Sequence, residues 1–222
     1  MTKIVHPYAH RLGGKGIRTW KSRWSGNKKN YINFLKTDTF VRSFLDKALK
    51  GMYVSDVEIE RDEKNYKIII KTSRSGMIIG RGGDGVEALK KGLTKQLKKQ
   101  NIEVPENLRI EIEDIRSPES DAGIVGAQIV EALEKRMQFR RVLKTTAEKV
   151  MANREVKGVK IALSGRLGGA EMSRKEYIKK GQIPLTTLRA DIDYRHVEAQ
   201  LPYGVIGVKV WIYRGEVFDK KS

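Results

Sequence analysis

The segment SGMIIGRGGDGVEALKKGL, Ser75–Leu93, decides how the fold of this chain is interpreted. Glycines at positions 80, 82, 83 and 85 follow Ile78 and Ile79 and precede a pattern typical of a helix. A glycine-rich loop before a helix lets backbone N–H groups approach a phosphate closely. The question is whether that phosphate belongs to a nucleotide cofactor or to a nucleic-acid strand.

Two nucleotide-binding interpretations fit the loop poorly. Residues 80–85 match the spacing GxGxxG, and Glu103 lies near the distance expected for a ribose-binding carboxylate. A dinucleotide loop leaves its strand directly, whereas here the strand pattern ends near Thr72 and RSGM intervenes before the glycines. The flanking strands also suggest a meander rather than repeated βαβ units. A P-loop is excluded because no Lys-Ser or Lys-Thr follows the glycines.

The same loop fits a GxxG clamp for single-stranded nucleic acid, formed by Gly80, Arg81, Gly82 and Gly83. Small residues let a sugar-phosphate backbone press against the loop, and the following helix N-terminus favours negative charge. Arg81 adds a cation at the tip of the loop. A glycine-rich turn that binds nothing is the alternative.

The charge of the whole chain favours a polyanionic partner. There are 45 Lys and Arg residues against 27 Asp and Glu, which gives a net charge of +18 and a pI near 10.0. Nucleic acid is the first candidate for such a chain, ahead of a membrane surface or plain solvation. No apolar run is long enough to span a membrane and no apolar signal core follows the N-terminus, so we expect a cytoplasmic protein.

Metal and cofactor sites are not expected from the composition. The chain has no cysteine and only three histidines, of which His6 and His10 lie among charged residues and His196 lies far downstream. This is too sparse a set for a zinc site. We therefore expect no metal, no cofactor and no small-molecule substrate.

The first half of the chain predicts an α+β domain. A basic and aromatic arm is expected over residues 1–36, and helical spacing then begins at Asp38 and stops at Gly51. Two alternating segments around Val57–Ile59 and Tyr66–Ile70 predict antiparallel strands, followed by the glycine loop, a helix and a third strand near Leu108–Ile112. The predicted domain covers residues 37–116.

The second half predicts another α+β domain over residues 117–222. The proline-containing segment IRSPES, Ile115–Ser120, marks the boundary. Two amphipathic helices follow, and three strands close the chain, around Val159–Leu163, Leu188–Tyr194 and Val208–Ile212. We expect a mostly antiparallel sheet with helices packed on it in both halves.

Several strings in the chain resemble a known family. IIGRGG in this order of elements resembles a K-homology (KH) domain of the second type, and the whole chain is similar to the bacterial family of small-subunit ribosomal protein three. The strings that carry the second resemblance are HP and RLG near the N-terminus, FRR at residues 139–141, SGRLGGAE at 164–171, PLTTLRADIDY at 184–194 and YGVIGVKVWIYRGE at 203–216.

The resemblance implies a structural component of the head of the small ribosomal subunit. Such a protein binds ribosomal RNA and neighbouring head proteins and faces the channel where mRNA enters. The family's mRNA-facing residues correspond to Arg140, Arg141 and Lys144, which helical geometry places opposite Leu143 and Ala147. A merely solvated basic face is the alternative. Contacts with ribosomal RNA or neighbours are expected at Arg11, Lys15, Arg166 and Arg174.

Enzymatic chemistry is not expected. Asp191 and Asp193 alternate on one strand, as a metal-dependent nuclease could require, but Arg189 and Arg195 lie on the same face and can pair with them in a solvated, charge-balanced surface. Ser164 lacks the flanking glycines of a nucleophile elbow. A free KH-type RNA-binding regulator remains the alternative, with a nucleotide-dependent oxidoreductase or nuclease as a third hypothesis.

Overall fold

The computed structural model describes residues 6–9, 11–12, 19–62, 65–100 and 107–218. They form two compact units. The first unit contains Lys21–Arg116, and the second contains the chain from Ser117 together with the described residues before Lys21. Both units combine helices with a four-stranded sheet, which confirms the α+β class. The limits 1–36, 37–116 and 117–222 stay a prediction of domain organisation.

The first unit is a sheet of order β1-β2-β3-β4 with helices between its strands. Its elements are β1 (Ser22–Arg23), α1 (Lys28–Ala48), β2 (Val54–Arg61), β3 (Asn65–Thr72), α2 (Ser75–Ile79), α3 (Asp84–Lys99) and β4 (Asn107–Asp114). Helix α1 begins at Lys28, not at Asp38 as predicted. Its first turns expose Tyr31, Ile32 and Leu35, so no buried face marks the true start.

The pairing in this sheet corrects one expectation. Strands β2 and β3 are antiparallel as predicted, but β1 pairs parallel with β2 and β4 pairs parallel with β3. The prediction of a mostly antiparallel meander was therefore wrong for this half, because α2 and α3 return the chain to the end of the sheet where β3 began. The dinucleotide interpretation still fails, since β3 ends at Thr72 and helix α2 separates it from the glycines.

The core of the first unit joins α1 and α3 to the sheet. Its fully buried residues include Val41, Leu45, Ile59, Ile68, Ile70, Ile78, Leu93 and Leu97. One buried carboxylate, Asp38, lies at the edge of this core. It accepts hydrogen bonds from the Tyr66 hydroxyl at 3.0 Å and from Trp24 Nε1 at 2.9 Å. These two donors compensate for the loss of water around the carboxylate.

The second unit has two helices on an antiparallel sheet of order β6-β5-β8-β7, as predicted. Its elements are α4 (Ala122–Glu134), α5 (Phe139–Ala152), β5 (Gly158–Gly165), β6 (Arg174–Gly181), β7 (Ala190–Leu201) and β8 (Gly204–Glu216). The prediction of three strands omitted β6. Ile178 is the one apolar residue that this edge strand packs against the helices, so its sequence carries almost no alternation.

The second face of this sheet carries a smaller apolar cluster of Ala190, Ile192, Trp211 and Tyr213. The larger core, which holds Val159, Ile161 and Leu163 from β5, lies on the helix side. None of the helices that the structure describes has the length and apolar composition of a membrane-spanning segment.

The environment of Asp193 differs from the predicted solvated face. Asp193 is buried, with 5% of its surface exposed. It accepts hydrogen bonds from the Tyr8 hydroxyl at 2.5 Å, from the Ala122 backbone N–H at 2.8 Å and from Arg214 at 3.1 Å. Arg189 pairs instead with Glu216. The prediction of a solvated face was wrong for Asp193. Its carboxylate is enclosed because the first residue of α4, Ala122, and the N-terminal Tyr8 both donate hydrogen bonds to it.

Candidate nucleic-acid interface

The GxxG loop is a tight connection between α2 and α3. Gly80, Gly82 and Gly83 have φ values of 71°, 64° and 92°, a region that favours glycine. Gly85 is needed for a different reason, since a Cβ there would lie 2.3 Å from the carbonyl oxygen of Ile78. The loop conformation is therefore fixed by its own glycines.

The tip of this loop is accessible. Arg81 and Gly82 are exposed, and no atom lies within 4 Å of a Cβ built on Gly82. Asp84 and Glu87 occupy the first turn of α3 and stabilise the helix N-terminus. Their negative charges also offset part of the positive potential at the helix N-terminus. The positive charge within the loop itself comes from Arg81. The clamp itself stays a prediction.

A row of lysines on α3 was missed by sequence reasoning. Lys90, Lys91, Lys95 and Lys98 all lie exposed on this helix. Lys91 forms an ion pair of 3.4 Å with Glu87 one turn earlier. The spacing of 91, 95 and 98 is the signal that could have revealed a common face next to the loop.

Helix α5 has the predicted division into a buried and a basic face. Phe139, Leu143 and Ala147 are buried in the second unit's core, while Arg140, Arg141 and Lys144 are exposed. The first turn contains no acidic residue, and Gln138 gives no side-chain cap. Cations near a helix N-terminus are unfavourable by about 0.3–1 kcal/mol each. The RNA contact of this face stays a prediction.

The structure brings Arg140 and Arg174 together. Both guanidinium groups lie 3.5 Å from Oε1 of Glu176, and both lie over the Phe139 ring, at 5.6 and 5.7 Å from its centroid. Strand β6 thus adds a cation to the basic face of α5. Glu176 is shared between two arginines, so it leaves net positive charge at this point.

Arg166 is held close to the same end of α5. Its Nε donates to the carbonyl oxygen of Ala170 at 2.9 Å, and its guanidinium lies 5.8 Å from the centre of the Tyr203 ring. A cavity of about 470 Å³ is lined by Arg166 and Tyr203 together with Met137 and Phe139. Three separate strings of the sequence therefore meet at one place: FRR, SGRLGG and the segment that begins at Tyr203.

Arg11 is a structural residue, and the expectation that it contacts ribosomal RNA or a neighbouring protein was wrong. Its side chain is 1% exposed and donates hydrogen bonds to the carbonyl oxygens of Pro7, Leu185, Thr187 and Ala190. Burial lowers the pKa of Arg11, and the charge of Asp191 partly offsets this effect. Four of the five N–H donors of this guanidinium are used within the protein, and its burial keeps it away from a phosphate.

Three other residues named from the sequence lie outside the described residues: His10, Lys15 and Glu103. Within residues 6–9, 11–12, 19–62, 65–100 and 107–218 there is no group of three or more His, Asp or Glu side chains able to hold a metal ion.

Comparison with known proteins agrees with this architecture. The family model described as KH domain matches residues 41–120, and the model described as ribosomal protein S3, C-terminal domain, matches residues 129–212. The small ribosomal subunit protein uS3 of Clostridium botulinum is 45% identical over all 222 residues, which cover 96% of that protein.

Two further relatives agree at the same coverage of both chains, 100% of this chain and 96% of theirs. The uS3 proteins of Clostridium beijerinckii and Clostridium tetani are 45% and 44% identical to it. With both family models matched and this identity maintained over its full length, the chain belongs to the uS3 family of small ribosomal subunit proteins.

Proposed function

We propose that this chain binds ribosomal RNA in the head of the small ribosomal subunit and lines the path by which mRNA enters. Its family membership makes it a structural component of the cytoplasmic ribosome and not an enzyme. The contacts with mRNA, with particular ribosomal RNA segments and with neighbouring head proteins are the proposed part.

The observation that carries the mRNA role is the basic face of α5. Phe139 and Leu143 anchor the helix in the core, so Arg140, Arg141 and Lys144 are presented from a rigid support. Arg140 and Arg141 occupy the helix end where cations destabilise the fold. Because these two cations lower the stability of the helix, we infer that they are there to bind an anion and not only to be solvated.

The mechanism needs no fuel and no reactive group. Fixed cations beside a single-strand path lower the free energy of unpaired RNA relative to duplex, because an unpaired strand can place its phosphates against them. Thermal opening of a hairpin is then captured, which shifts its population toward the open state. Movement of mRNA through the ribosome supplies the direction.

The first unit supports a second contact with RNA. The exposed tip at Arg81 and Gly82, with exposed lysines further along α3, fits a single strand or an unpaired segment of ribosomal RNA. A free KH-type regulator would use the same loop. Sedimentation with the small subunit at moderate salt separates the two, because a regulator remains in the supernatant.

The mRNA role is tested by replacing Arg140, Arg141 and Lys144 with alanine in assembled ribosomes. We expect slower translation through stable hairpins and unchanged speed on unstructured messages. If each residue contacts one phosphate, the salt slope for single-stranded RNA falls by about 2. Arg154→Ala, at an exposed site just beyond α5, is the matched control. Equal speeds on both messages in the triple variant would reject the role.

A further inference from the structure

We propose that the cavity at the start of α5 holds an unpaired base of single-stranded RNA, with Arg136 and Arg166 contacting the phosphates beside it. This inference rests on the proposed function, because it needs an RNA strand to pass along α5. To the proposed function it adds a site where an RNA base stacks. It also assigns RNA binding to Arg136 and Tyr203, which lie outside the basic face of α5.

The backbone at Arg136 gives the first reason. Arg136 N donates to the carbonyl oxygen of Leu133 at 2.8 Å, and Met137 N donates to that of Ala132 at 3.1 Å. These two bonds form the Schellman motif that ends α4, in which the residue at the Arg136 position is left-handed and usually glycine. Arg136 has a φ of 59°. An arginine at this position destabilises the turn, so its side chain points to a function other than folding.

The walls of the cavity give the second reason. Two aromatic rings are packed on glycines of the turn after β5: a Cβ at Gly169 would lie 3.5 Å from the Tyr203 ring, and one at Gly168 would lie 3.8 Å from the Phe139 ring. Tyr203 is 64% exposed and Met137 is 48% exposed. An exposed aromatic face beside an apolar wall is what a base needs for stacking.

The charge around the cavity selects the ligand. None of the residues that line the cavity is acidic, while Arg136 and Arg166 are both among them. Arg166 is oriented by its bond to Ala170, and Arg140 and Arg174 lie against the Phe139 ring. A ligand with a flat apolar part and negative groups on either side fits this arrangement. A nucleotide within a single RNA strand has both.

The volume is compatible with this ligand. The cavity measures about 470 Å³, within the range of roughly 300–1,000 Å³ that small-molecule sites occupy in proteins. Tyr203, which lines it, is largely exposed to solvent, so an RNA base can reach it.

The inference is tested with full-length protein and single-stranded RNA oligonucleotides. Tyr203→Ala removes the stacking ring, and we expect affinity to fall roughly 5- to 150-fold. Arg136→Gly should weaken binding and lower the salt slope by about 0.7, while raising the thermal midpoint of the second unit by about 2–4 °C. A residue with only a structural role would not move stability and affinity in opposite directions.

A set of oligonucleotides with one abasic position each identifies the base. At one position the missing base should weaken binding to the parent protein and have no effect on Tyr203→Ala, because both changes remove the same contact. If Tyr203→Ala and Arg136→Gly bind like the parent while the triple alanine variant of α5 binds weakly, the inference is overturned and the proposed function stands. If the triple variant also binds like the parent, both are overturned.

Discussion

The Nε of Arg11 donates a hydrogen bond of 2.8 Å to the carbonyl oxygen of Ala190, 179 residues further along the chain. The same guanidinium reaches the carbonyl oxygens of Pro7, Leu185 and Thr187. Together with the Tyr8 hydroxyl, which donates to Asp193, this side chain ties the described N-terminal residues to the second unit.

Replacing Arg11 should therefore change stability and not RNA binding. We expect Arg11→Lys to lower the free energy of unfolding of the second unit by about 2–4 kcal/mol, because lysine cannot bond four divergent carbonyl groups. Chemical denaturation of the full chain measures this. Arg154→Ala, an exposed arginine of the same unit, should change stability by less than about 0.5 kcal/mol. An Arg11→Lys protein as stable as the parent would contradict the structural role.

Charge reversal at the start of α5 should separate stability from binding. Arg141→Glu places a negative charge at the positive end of the helix and should raise the free energy of unfolding by about 0.3–1 kcal/mol, while single-stranded RNA binds more weakly. Lys149→Glu, in the last turn, is the matched control and should destabilise by a similar amount. If Arg141→Glu lowers stability, the interpretation of the basic first turn is wrong.

The GxxG loop can be altered without loss of fold. We expect Arg81→Asp with Gly82→Asp to weaken single-stranded RNA binding, at a cost of about 1–2 kcal/mol for the left-handed aspartate at position 82. Binding is measured in full-length protein that also carries the alanine replacements on α5, so that the first unit dominates the signal. Gly85→Ala is the contrasting variant, because its Cβ would collide with the backbone and unfold part of the unit. Unchanged affinity in the double aspartate variant would remove the clamp.

Tyr66 gives a prediction at high pH. Burial raises the pKa of the Tyr66 hydroxyl far above its ordinary value, with the Asp38 charge and hydrogen bond as further causes. Above about pH 10 the unfolded chain loses this proton and the folded chain keeps it, so the stabilisation is complete below about pH 10 and is lost as the pH rises.

Comparison of the parent with Tyr66→Phe measures that effect. Below about pH 9 the variant should be less stable by a constant amount, about 1–2 kcal/mol for the lost hydrogen bond to Asp38. Above about pH 10 the difference should shrink by up to about 1.4 kcal/mol per pH unit. A difference that stays constant to pH 11.5 would show that the phenol titrates normally in the folded state.

Local sequence patterns predicted most helices and strands. The direction in which strands pair depends on residues far apart in sequence and was not fully predicted. The GxxG loop, the amphipathic α5 and the buried strand β5 are visible in sequence because each is set by residues close together. The parallel pairing of β3 with β4 was missed, since strand direction depends on where the intervening helices bring the chain. Strand β6 was missed because Ile178 is the one apolar residue that it packs against the helices.

The site was predicted in part for the same reason. The spacing of Arg140, Arg141 and Lys144 placed them on one exposed helix face, and their contact with mRNA stays a prediction from the family resemblance. Arg11 was misassigned because a buried arginine bonded to carbonyl groups looks in sequence like any other cation. Arg136 and Tyr203 were overlooked. Only the left-handed backbone distinguishes Arg136 from other exposed arginines, and only the fold brings Tyr203 into the same cavity as Phe139.

The bond between Arg11 and Ala190 also bears on how the protein is made. Residues of the second unit precede and follow Lys21–Arg116, so the first unit is an insertion in the sequence of the second. As the chain emerges during synthesis, the first unit has all its strands once Asp114 is available. The N-terminal residues must wait for β7, and the sheet waits longer for β8, which lies between β5 and β7. Contacts so distant in sequence form slowly, and β8 completes the unit whose first residues were synthesised before all of the other unit.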